Sequence, residues 1–245
     1  MNKLYKEILL NLLFPKNCLV CEKPGGYLCR RCLKSIPLQQ KDFCPICEEV
    51  ETFSGRVCNV CENTHSKIYL DGVIVSSYYH HPILKELIHR YKYNFLQELS
   101  DSLACLLKKK LLSLPEFPWP DFVFLPVPLH FNRQHWRGFN QSELIIKNLK
   151  SQLATDNINV RHSFNLLTRH KDTQPQMKVK SLNLRQKNIA NCFSLNKKFS
   201  QRLPSKIILV DDVITTGSTL EECAKVLKKS GQVKKVWGLV LGRQN

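Results

Sequence analysis

The chain has 245 residues, of which 43% are hydrophobic, and a formal net charge of +17. This length allows one domain of ordinary size and a small accessory module, and the apolar content excludes a disordered or fibrous protein. The excess of basic residues predicts a polyanionic partner such as nucleic acid, a phosphorylated ligand or an anionic membrane.

The chain begins with an apolar segment, Leu4–Phe14, in which leucines recur at helical spacing. Lys6, Glu7 and Asn11 interrupt it and no small-residue cleavage site follows, so we do not expect a signal peptide. The segment is shorter than the ~20 apolar residues that a membrane span needs. We predict a short helix packed on the protein, with a membrane-surface anchor as the alternative, and a cytoplasmic location.

Four Cys-x-x-Cys pairs come next. Two residues between thiolates let both sulfurs reach one ion at about 2.3 Å, and two pairs complete the tetrahedron of a structural zinc site. The eight residues of the two predicted zinc sites are Cys18, Cys21, Cys29, Cys32, Cys44, Cys47, Cys58 and Cys61. Sequential pairing is the simplest scheme, while crossed pairing and iron–sulfur ligation stay open. Two such zinc centres would lower the net charge to about +13. The module is a docking or nucleic-acid-binding platform, or a staple for a segment too small to fold alone.

The sequence changes character near Lys67–Asp71, where apolar runs begin to alternate with helical periods. We therefore predict a cysteine-rich module over residues 1–66 and a second domain over residues 67–245. An α/β fold follows, with a mostly parallel sheet flanked by helices. The predicted strands are Val73–Tyr79, Phe122–Leu125, Ile207–Val210 and Val236–Leu241. The predicted helices are Ile83–Tyr93, Leu96–Leu112, Ser142–Leu153 and Ser218–Lys229.

Two polar stretches between these elements carry candidate anion contacts. Arg133 and Arg137 follow a strand and precede a helix start, so they are candidates for contacts with a phosphate. The alternative is that both are solvated surface arginines. Residues 168–176 and 184–188 are basic and lack a core period, as expected of a lid over a charged ligand or of a solvated loop. Their candidate diphosphate contacts are Arg169, Lys171 and Arg185.

The segment Ile207–Leu220 combines a buried strand, an acidic pair and a turn that opens a helix. Asp211 and Asp212 at the strand end can accept hydrogen bonds from ribose hydroxyls and help hold Mg²⁺ on a diphosphate. The turn supplies backbone N–H groups and hydroxyls at a helix N-terminus, where a 5′-phosphate binds well. Its residues are Thr215, Thr216, Gly217, Ser218 and Thr219. These features predict a site for 5-phosphoribosyl-1-pyrophosphate (PRPP).

This segment resembles the PRPP loop of type I phosphoribosyltransferases, which have four apolar residues, two acids and a Thr/Gly/Ser turn. Over the whole chain, the cysteine pairs, the Pro-Val-Pro-Leu…Arg-Gly-Phe-Asn-Gln stretch and the Val-Asp-Asp-Val…Thr-Thr-Gly-Ser-Thr loop resemble the ComF family. The resemblance implies a type I phosphoribosyltransferase fold with an N-terminal double zinc ribbon. It also implies a competence protein that assists entry of single-stranded DNA during natural transformation.

The same resemblance implies links to a ComFA-like helicase and a ComEC-like channel, at the cytoplasmic face of the inner membrane. Aromatic residues beside basic groups suit single-strand binding by stacking, although they also suit core packing. These residues are Tyr91, Tyr93, Phe131, Trp136 and Phe139. The alternative function is a working phosphoribosyltransferase that transfers phosphoribose to a base or an amine. No N-terminal nucleophilic cysteine or glutaminase domain accompanies the loop, so we do not expect glutamine amidotransferase activity.

Overall fold

The computed structural model describes residues 16–64, 67–115, 117, 119, 121–173, 189–199 and 203–244. The predicted N-terminal helix lies outside these ranges. Within them, the helices are α1 (Arg30–Lys34), α2 (Asn59–Thr64), α3 (Pro82–Tyr93), α4 (Leu99–Leu112), α5 (Phe131–Arg137), α6 (Gln141–Ala154) and α7 (Ser218–Lys228). The strands are β1 (Gly72–Tyr78), β2 (Phe122–Pro126), β3 (Arg161–His162), β4 (Leu167–Arg169), β5 (Phe193–Leu195), β6 (Lys206–Ile214) and β7 (Lys235–Arg243).

The main sheet has five strands in the order β1-β7-β6-β2-β3, and every neighbouring pair is parallel. Strands β4 and β5 form a separate antiparallel pair. Strands β6 and β7 are apolar along most of their length because helices or loops cover both faces of the parallel sheet. The predicted α/β class with a mostly parallel sheet is therefore confirmed.

Two apolar layers flank the sheet, and strand β6 contributes to both. Ile208 and Val210 pack in the layer beneath α3, α4 and α6, whereas Ile207 and Leu209 pack in the layer beneath α7 and the β4–β5 pair. Because side chains alternate along a strand, Asp211 continues the α7 side and Asp212 continues the α3 side. The two acids of the predicted site thus lie on opposite faces of the sheet, each next to a different apolar layer.

The cysteine-rich module packs directly on the sheet domain. Its extended segment donates a backbone hydrogen bond from Gln39 to the Ser76 carbonyl at 2.9 Å, and the Ser77 hydroxyl donates to the Pro37 carbonyl at 2.6 Å. Lys110 of α4 forms an ion pair with Asp42 at 2.9 Å, with side chains only 3% and 8% exposed. The module is therefore attached by a buried charge pair as well as by backbone contacts.

Each of the eight strands and helices predicted after residue 66 occurs, but β6 extends through Asp211 and Asp212 to Ile214, and strands β3 and β5 were not predicted. Helix α4 begins at Leu99 and not at Leu96, because residues 97 and 98 form a turn. Helix α5 was not predicted, since its seven residues bury no side chain and so lack an apolar period. Thr168 and Arg169, expected in a lid, belong to strand β4. Among the described residues, no helix has the length and apolar character of a membrane span.

Candidate functional site

The acidic pair lies at the carboxyl end of β6, in the middle of the sheet. The backbone N–H of Asp212 donates to the Asp211 carboxylate at 2.9 Å. Asp212 is 7% exposed and its carboxylate forms an ion pair with Lys92 at 2.7 Å. Lys92 lies in the last turn of α3, and its side chain is 17% exposed. The α3 layer therefore supplies a fixed cation to the Asp212 side of the site.

The two buried groups titrate under opposing influences. Burial and the neighbouring Asp212 charge raise the pKa of Asp211 to about 7, although Lys92 and Arg169 oppose the change. Burial disfavours the charge on Lys92, but the attraction of Asp212 outweighs it, so the pKa of Lys92 is raised. Near neutral pH the site thus combines the Lys92–Asp212 ion pair with a second carboxyl, that of Asp211, close to its titration point.

The turn after β6 has the geometry of an anion-binding helix start. Gly217 caps α7 with a left-handed φ of 74°, a conformation that glycine adopts without strain. The hydroxyls of Thr216 and Ser218 bond to each other at 2.8 Å, and Ser218 also directs its backbone N–H toward Thr216 Oγ1 at 3.5 Å. Thr215 and Thr219 border the pocket beside the acids. The turn and the start of α7 thus lie beside the acidic pair, although Thr216, Gly217 and Ser218 are not among the residues that line the pocket.

Three arginines converge on the same pocket from two elements, Arg133 and Arg137 from α5 and Arg169 from β4. Arg133 of α5 hydrogen-bonds to the carbonyl of Thr173, and its Nε lies 3.8 Å from Asp172. Arg169 of β4 donates to the Thr173 hydroxyl at 2.5 Å. Arg137 donates to Gln141 at 3.0 Å, while its buried Nε has no partner among the described residues. Burial lowers the pKa of both Arg133 and Arg169, since both cations are drawn toward the interior.

These groups enclose a pocket of about 590 Å³, within the size range of small-molecule sites. The charged and threonine residues around it are Lys92, Arg133, Arg137, Arg169, Asp211, Asp212, Thr215 and Thr219, and Gln244, Tyr79 and Tyr93 also line it. Lys171 is exposed, its Nζ donates to the Ala190 carbonyl at 3.5 Å, and it is not among the residues that line the pocket. Arg185 lies outside the described residues. Three of the five predicted diphosphate contacts therefore line the pocket.

An aromatic cluster stands at the mouth of this pocket. Trp136 is 59% exposed and lies 6.4 Å from Tyr93 and 5.0 Å from Phe95, measured between ring centroids. The Arg137 guanidinium lies 5.7 Å from the centre of the Tyr93 ring. Tyr91 and Phe139, in contrast, are 0% and 7% exposed and pack in the core, so the stacking interpretation is wrong for these two.

Each set of four cysteines forms a compact cluster. The sulfurs of Cys18, Cys21, Cys29 and Cys32 lie within 4.8 Å of one another, and so do those of Cys44, Cys47, Cys58 and Cys61. The pairing is sequential, which settles the alternative left open by the spacing. Sulfur separations of 3.6 Å for Cys21 to Cys29 and 3.9 Å for Cys47 to Cys58 match the ~3.8 Å edge of a tetrahedron of zinc–thiolate bonds.

The two clusters also repeat one backbone geometry. Glu22 and Glu48, each directly after a Cys-x-x-Cys pair, have left-handed φ angles of 60° and 63°. Backbone N–H groups point at the first sulfur of each cluster, from Cys29 to Cys18 at 3.4 Å and from Cys58 to Cys44 at 3.3 Å. Such donors stabilise thiolates, which zinc binding requires. The donor set therefore fits two structural zinc ions.

Curated relatives match this architecture over most of its length. Competence protein F of Haemophilus influenzae is 33% identical, and the match covers 86% of this chain and 87% of the relative. DNA utilization protein YhgH of Escherichia coli strain CFT073 is 32% identical over 93% of this chain and 98% of the relative. The chain belongs to the ComF family. Competence protein ComFC of Bacillus subtilis is 28% identical over 90% of this ComF chain and 86% of the relative.

Two further comparisons describe parts of this ComF chain. The family model described as a double zinc ribbon domain matches residues 9–62, which include all eight clustered cysteines. A hypoxanthine phosphoribosyltransferase from Staphylococcus aureus aligns with 13% identity and a TM-score of 0.31, covering 76% of this chain and 72% of that one. The predicted domain boundary between residues 66 and 67 stays a prediction.

Sequence reasoning missed two contributors to the ComF pocket. Lys92 carries no motif, and only the packing of α3 on the sheet brings it to Asp212. Asp172, in the predicted lid, accepts a hydrogen bond from Asn132 at 2.9 Å, which with the nearby His130 and Arg133 charges lowers its pKa. Asp172 is the single acidic residue in the sequence of these basic lid segments, and that contrast was the available signal.

Proposed function

We propose that this ComF-family chain binds PRPP with Mg²⁺ at the Asp211–Thr219 pocket and assists the uptake of single-stranded DNA in natural transformation. The observation that carries the proposal is the meeting of an acidic pair, a helix N-terminus and three arginines in one pocket. A phosphoribosyl diphosphate has two anionic ends joined by a ribose, and this pocket offers a matching group for each part.

Each part of the ligand has a chemically suited partner. The turn at Thr215–Thr219 suits the 5′-phosphate, because its N–H groups and the α7 dipole attract an anion. The carboxylates of Asp211 and Asp212 suit the ribose hydroxyls. Arg133, Arg137 and Arg169 suit the diphosphate, since guanidinium groups bind phosphate oxygens in pairs. Carboxylate oxygens of the acidic pair would also help hold Mg²⁺, which screens the diphosphate charge.

The role in DNA uptake is supported by the relatives and by the pocket mouth. The relatives are named competence proteins and DNA utilization proteins. Exposed Tyr93 and Trp136 lie with Arg133 and Arg137 at the pocket mouth, an arrangement that suits stacking of bases and neutralisation of phosphates in a single strand. Phe131, also exposed, begins the same helix, α5. We further propose that a ComFA-like helicase and a ComEC-like channel act with the protein at the cytoplasmic face of the inner membrane.

Calorimetry of the zinc-loaded protein with PRPP and Mg²⁺ tests the ligand half of the proposal. We expect saturable binding by the wild-type chain and a loss of at least about 100-fold in affinity for Asp211→Asn combined with Asp212→Asn, because hydrogen bonds from both carboxylates to the ribose are lost. Asp156→Asn, at an exposed acid two residues after the end of α6, is the matched control. Equal affinity in the double variant and the control would refute this site.

A working phosphoribosyltransferase is the second candidate, and the raised pKa of Asp211 favours it. A carboxyl that titrates near pH 7 can take the proton of an incoming nucleophile as the nucleophile bonds to the anomeric carbon and diphosphate departs. Incubation with PRPP, Mg²⁺ and a panel of bases and amines should then release diphosphate. Binding of PRPP without release across the panel would leave the first proposal standing and exclude the second for those acceptors.

A further inference from the structure

A second pocket, of about 570 Å³, lies at the opposite end of the sheet from the acidic pair. It is bounded by the start of β2, β6 and β7, the end of α7 and the second zinc ribbon. Lys206 begins β6, five residues before Asp211, which places the two pockets roughly 16 Å apart along the strand. No part of the PRPP proposal uses this second pocket.

The walls of the pocket are aromatic. Trp119 lies between Phe122 and Trp237, with centroid distances of 5.7 Å to each. Trp237 is held in place by Gly72, because a Cβ at that position would lie 2.5 Å from the indole ring. The indole therefore rests on backbone and its position is fixed. Fixed aromatic walls of this kind suit the flat face of a nucleobase.

The rim of the pocket is basic. Its cations are Arg56, Lys206, Lys228 and Lys235, against two acids, Glu62 and Asp71. Asp71 is already shared by Lys228 at 2.7 Å and Lys235 at 3.0 Å, and it also accepts from the Val236 N–H at 2.8 Å. Lys206 lies 5.8 Å from the centre of the Phe122 ring, and no carboxylate of the described residues pairs with it. An anion beside the aromatic wall would therefore meet uncompensated positive charge.

A buried polar atom supplies an independent indication of a ligand. Ser54 borders the pocket and is only 6% exposed, and its hydroxyl has no hydrogen-bond partner within the described ranges. The residue also holds a left-handed φ of 54°, which is uncommon for a serine. A buried hydroxyl without a partner is costly, and a polar ligand group would relieve that cost.

We propose that this pocket binds a nucleoside phosphate, with the base against Trp119 and Trp237 and the phosphate near Lys206 and Arg56. The chemistry is shared by a free nucleotide and by a nucleotide unit of single-stranded DNA. A site that is wholly aromatic would accept a bare base and a site that is wholly basic would accept any anion, whereas this pocket combines both surfaces. The proposal does not depend on PRPP binding at the other end of the sheet.

The tryptophans provide a local probe. The chain has three tryptophans, and two of them line this pocket. In a Trp136→Phe background, fluorescence therefore reports only Trp119 and Trp237. Titrations of the zinc-loaded protein would use dAMP, deoxyadenosine, inorganic phosphate and a 5′-phosphorylated oligodeoxyadenylate. We expect a saturable change with dAMP and much weaker responses to deoxyadenosine or phosphate alone.

Two lysine variants test the site, and the comparison of dAMP with the oligonucleotide tests the source of the nucleotide. Adding Lys206→Ala should weaken dAMP binding about tenfold, while Lys229→Ala, an exposed lysine at the end of α7, should leave it unchanged. Tighter binding of the oligonucleotide than of dAMP identifies DNA as the source, and the reverse identifies a free nucleotide. Circular dichroism and zinc content confirm that each variant is folded.

Three results would overturn the proposal. The first is the absence of a saturable change with either dAMP or the oligonucleotide. The second is equal affinity in the Lys206→Ala and Lys229→Ala variants. The third is loss of dAMP binding when Asp211→Asn and Asp212→Asn are combined, since the nucleotide would then occupy the PRPP pocket. Retained dAMP binding in a double variant that has lost PRPP would keep the two sites distinct.

Discussion

Asp211 and Asp212 are adjacent in sequence, yet their substitution should change stability in opposite directions. The pKa of Asp211 is raised from its ordinary value of 3.8 to about 7, mainly by burial and by the charge of Asp212. The folded state therefore holds a proton that the unfolded chain releases, and ionisation of Asp211 opposes folding. Asp211→Asn removes this opposition and keeps an oxygen that can accept the Asp212 N–H bond.

The magnitude follows from the size of the pKa change. A rise of roughly 3 units corresponds to about 4 kcal/mol as an upper limit. Because Asp211 interacts with the neighbouring Asp212, only part of this free energy belongs to Asp211 alone. We therefore expect Asp211→Asn to raise the unfolding free energy by about 2 kcal/mol above pH 7. The pKa of Asp211 is higher in the folded than in the unfolded chain, so the wild-type protein loses stability as pH rises from about 4 to about 7. The variant lacks this loss.

Asp212→Asn should do the reverse. It leaves Lys92, whose side chain is 17% exposed, without its 2.7 Å partner. We expect a loss of roughly 2–3 kcal/mol, less than is usual for a broken buried pair because Asp211 can ionise and take part of the Lys92 charge.

Urea denaturation of the zinc-loaded, ligand-free protein at pH 6 and pH 8.5 measures both effects. Comparing each variant with wild type at the same pH removes the contribution of zinc-site protonation. A destabilised Asp211→Asn, or a gain that does not grow between pH 6 and pH 8.5, would refute the reasoning about this carboxyl.

Three further predictions address the ribbon and the pocket mouth. Lys110→Met should destabilise the protein by about 3 kcal/mol, because it leaves Asp42 charged and buried, and adding Asp42→Leu should recover much of the loss in urea denaturation. Cys44→Ser should lower the zinc content by one ion per chain in elemental analysis, while an unchanged content would contradict the second site. Trp136→Ala should weaken binding of oligodeoxythymidylate by roughly tenfold in fluorescence anisotropy, whereas Phe199→Ala, an exposed aromatic elsewhere, should not.

The features that sequence could predict are local. The β6 strand, its acidic pair and the Thr-Thr-Gly-Ser-Thr turn are consecutive, so strand alternation and helix capping placed them without knowledge of the fold. The cysteine clusters were equally accessible because each pair spans four residues. The order of pairing needed the structure, since spacing alone permits either scheme.

The features that sequence could not predict depend on distant packing. Lys92 lies 120 positions before Asp212, and only the seating of α3 on one face of the sheet joins them. The second pocket draws Ser54, Trp119 and Lys206 from three separate regions of the chain, and only the fold brings them together. Helix α5 escaped the analysis because it buries nothing, although it positions Arg133 at the pocket.

The central claim is that the PRPP pocket serves DNA uptake, and a transformation assay tests it most directly. A naturally transformable bacterium lacking its own ComF-family gene would be complemented with the wild-type chain or with a stable Asp211→Ala, Asp212→Ala double variant. We expect the wild-type chain to restore transformation and the double variant, present at equal level, to leave it at the level of the deletion strain. Normal transformation with that double variant would contradict the account.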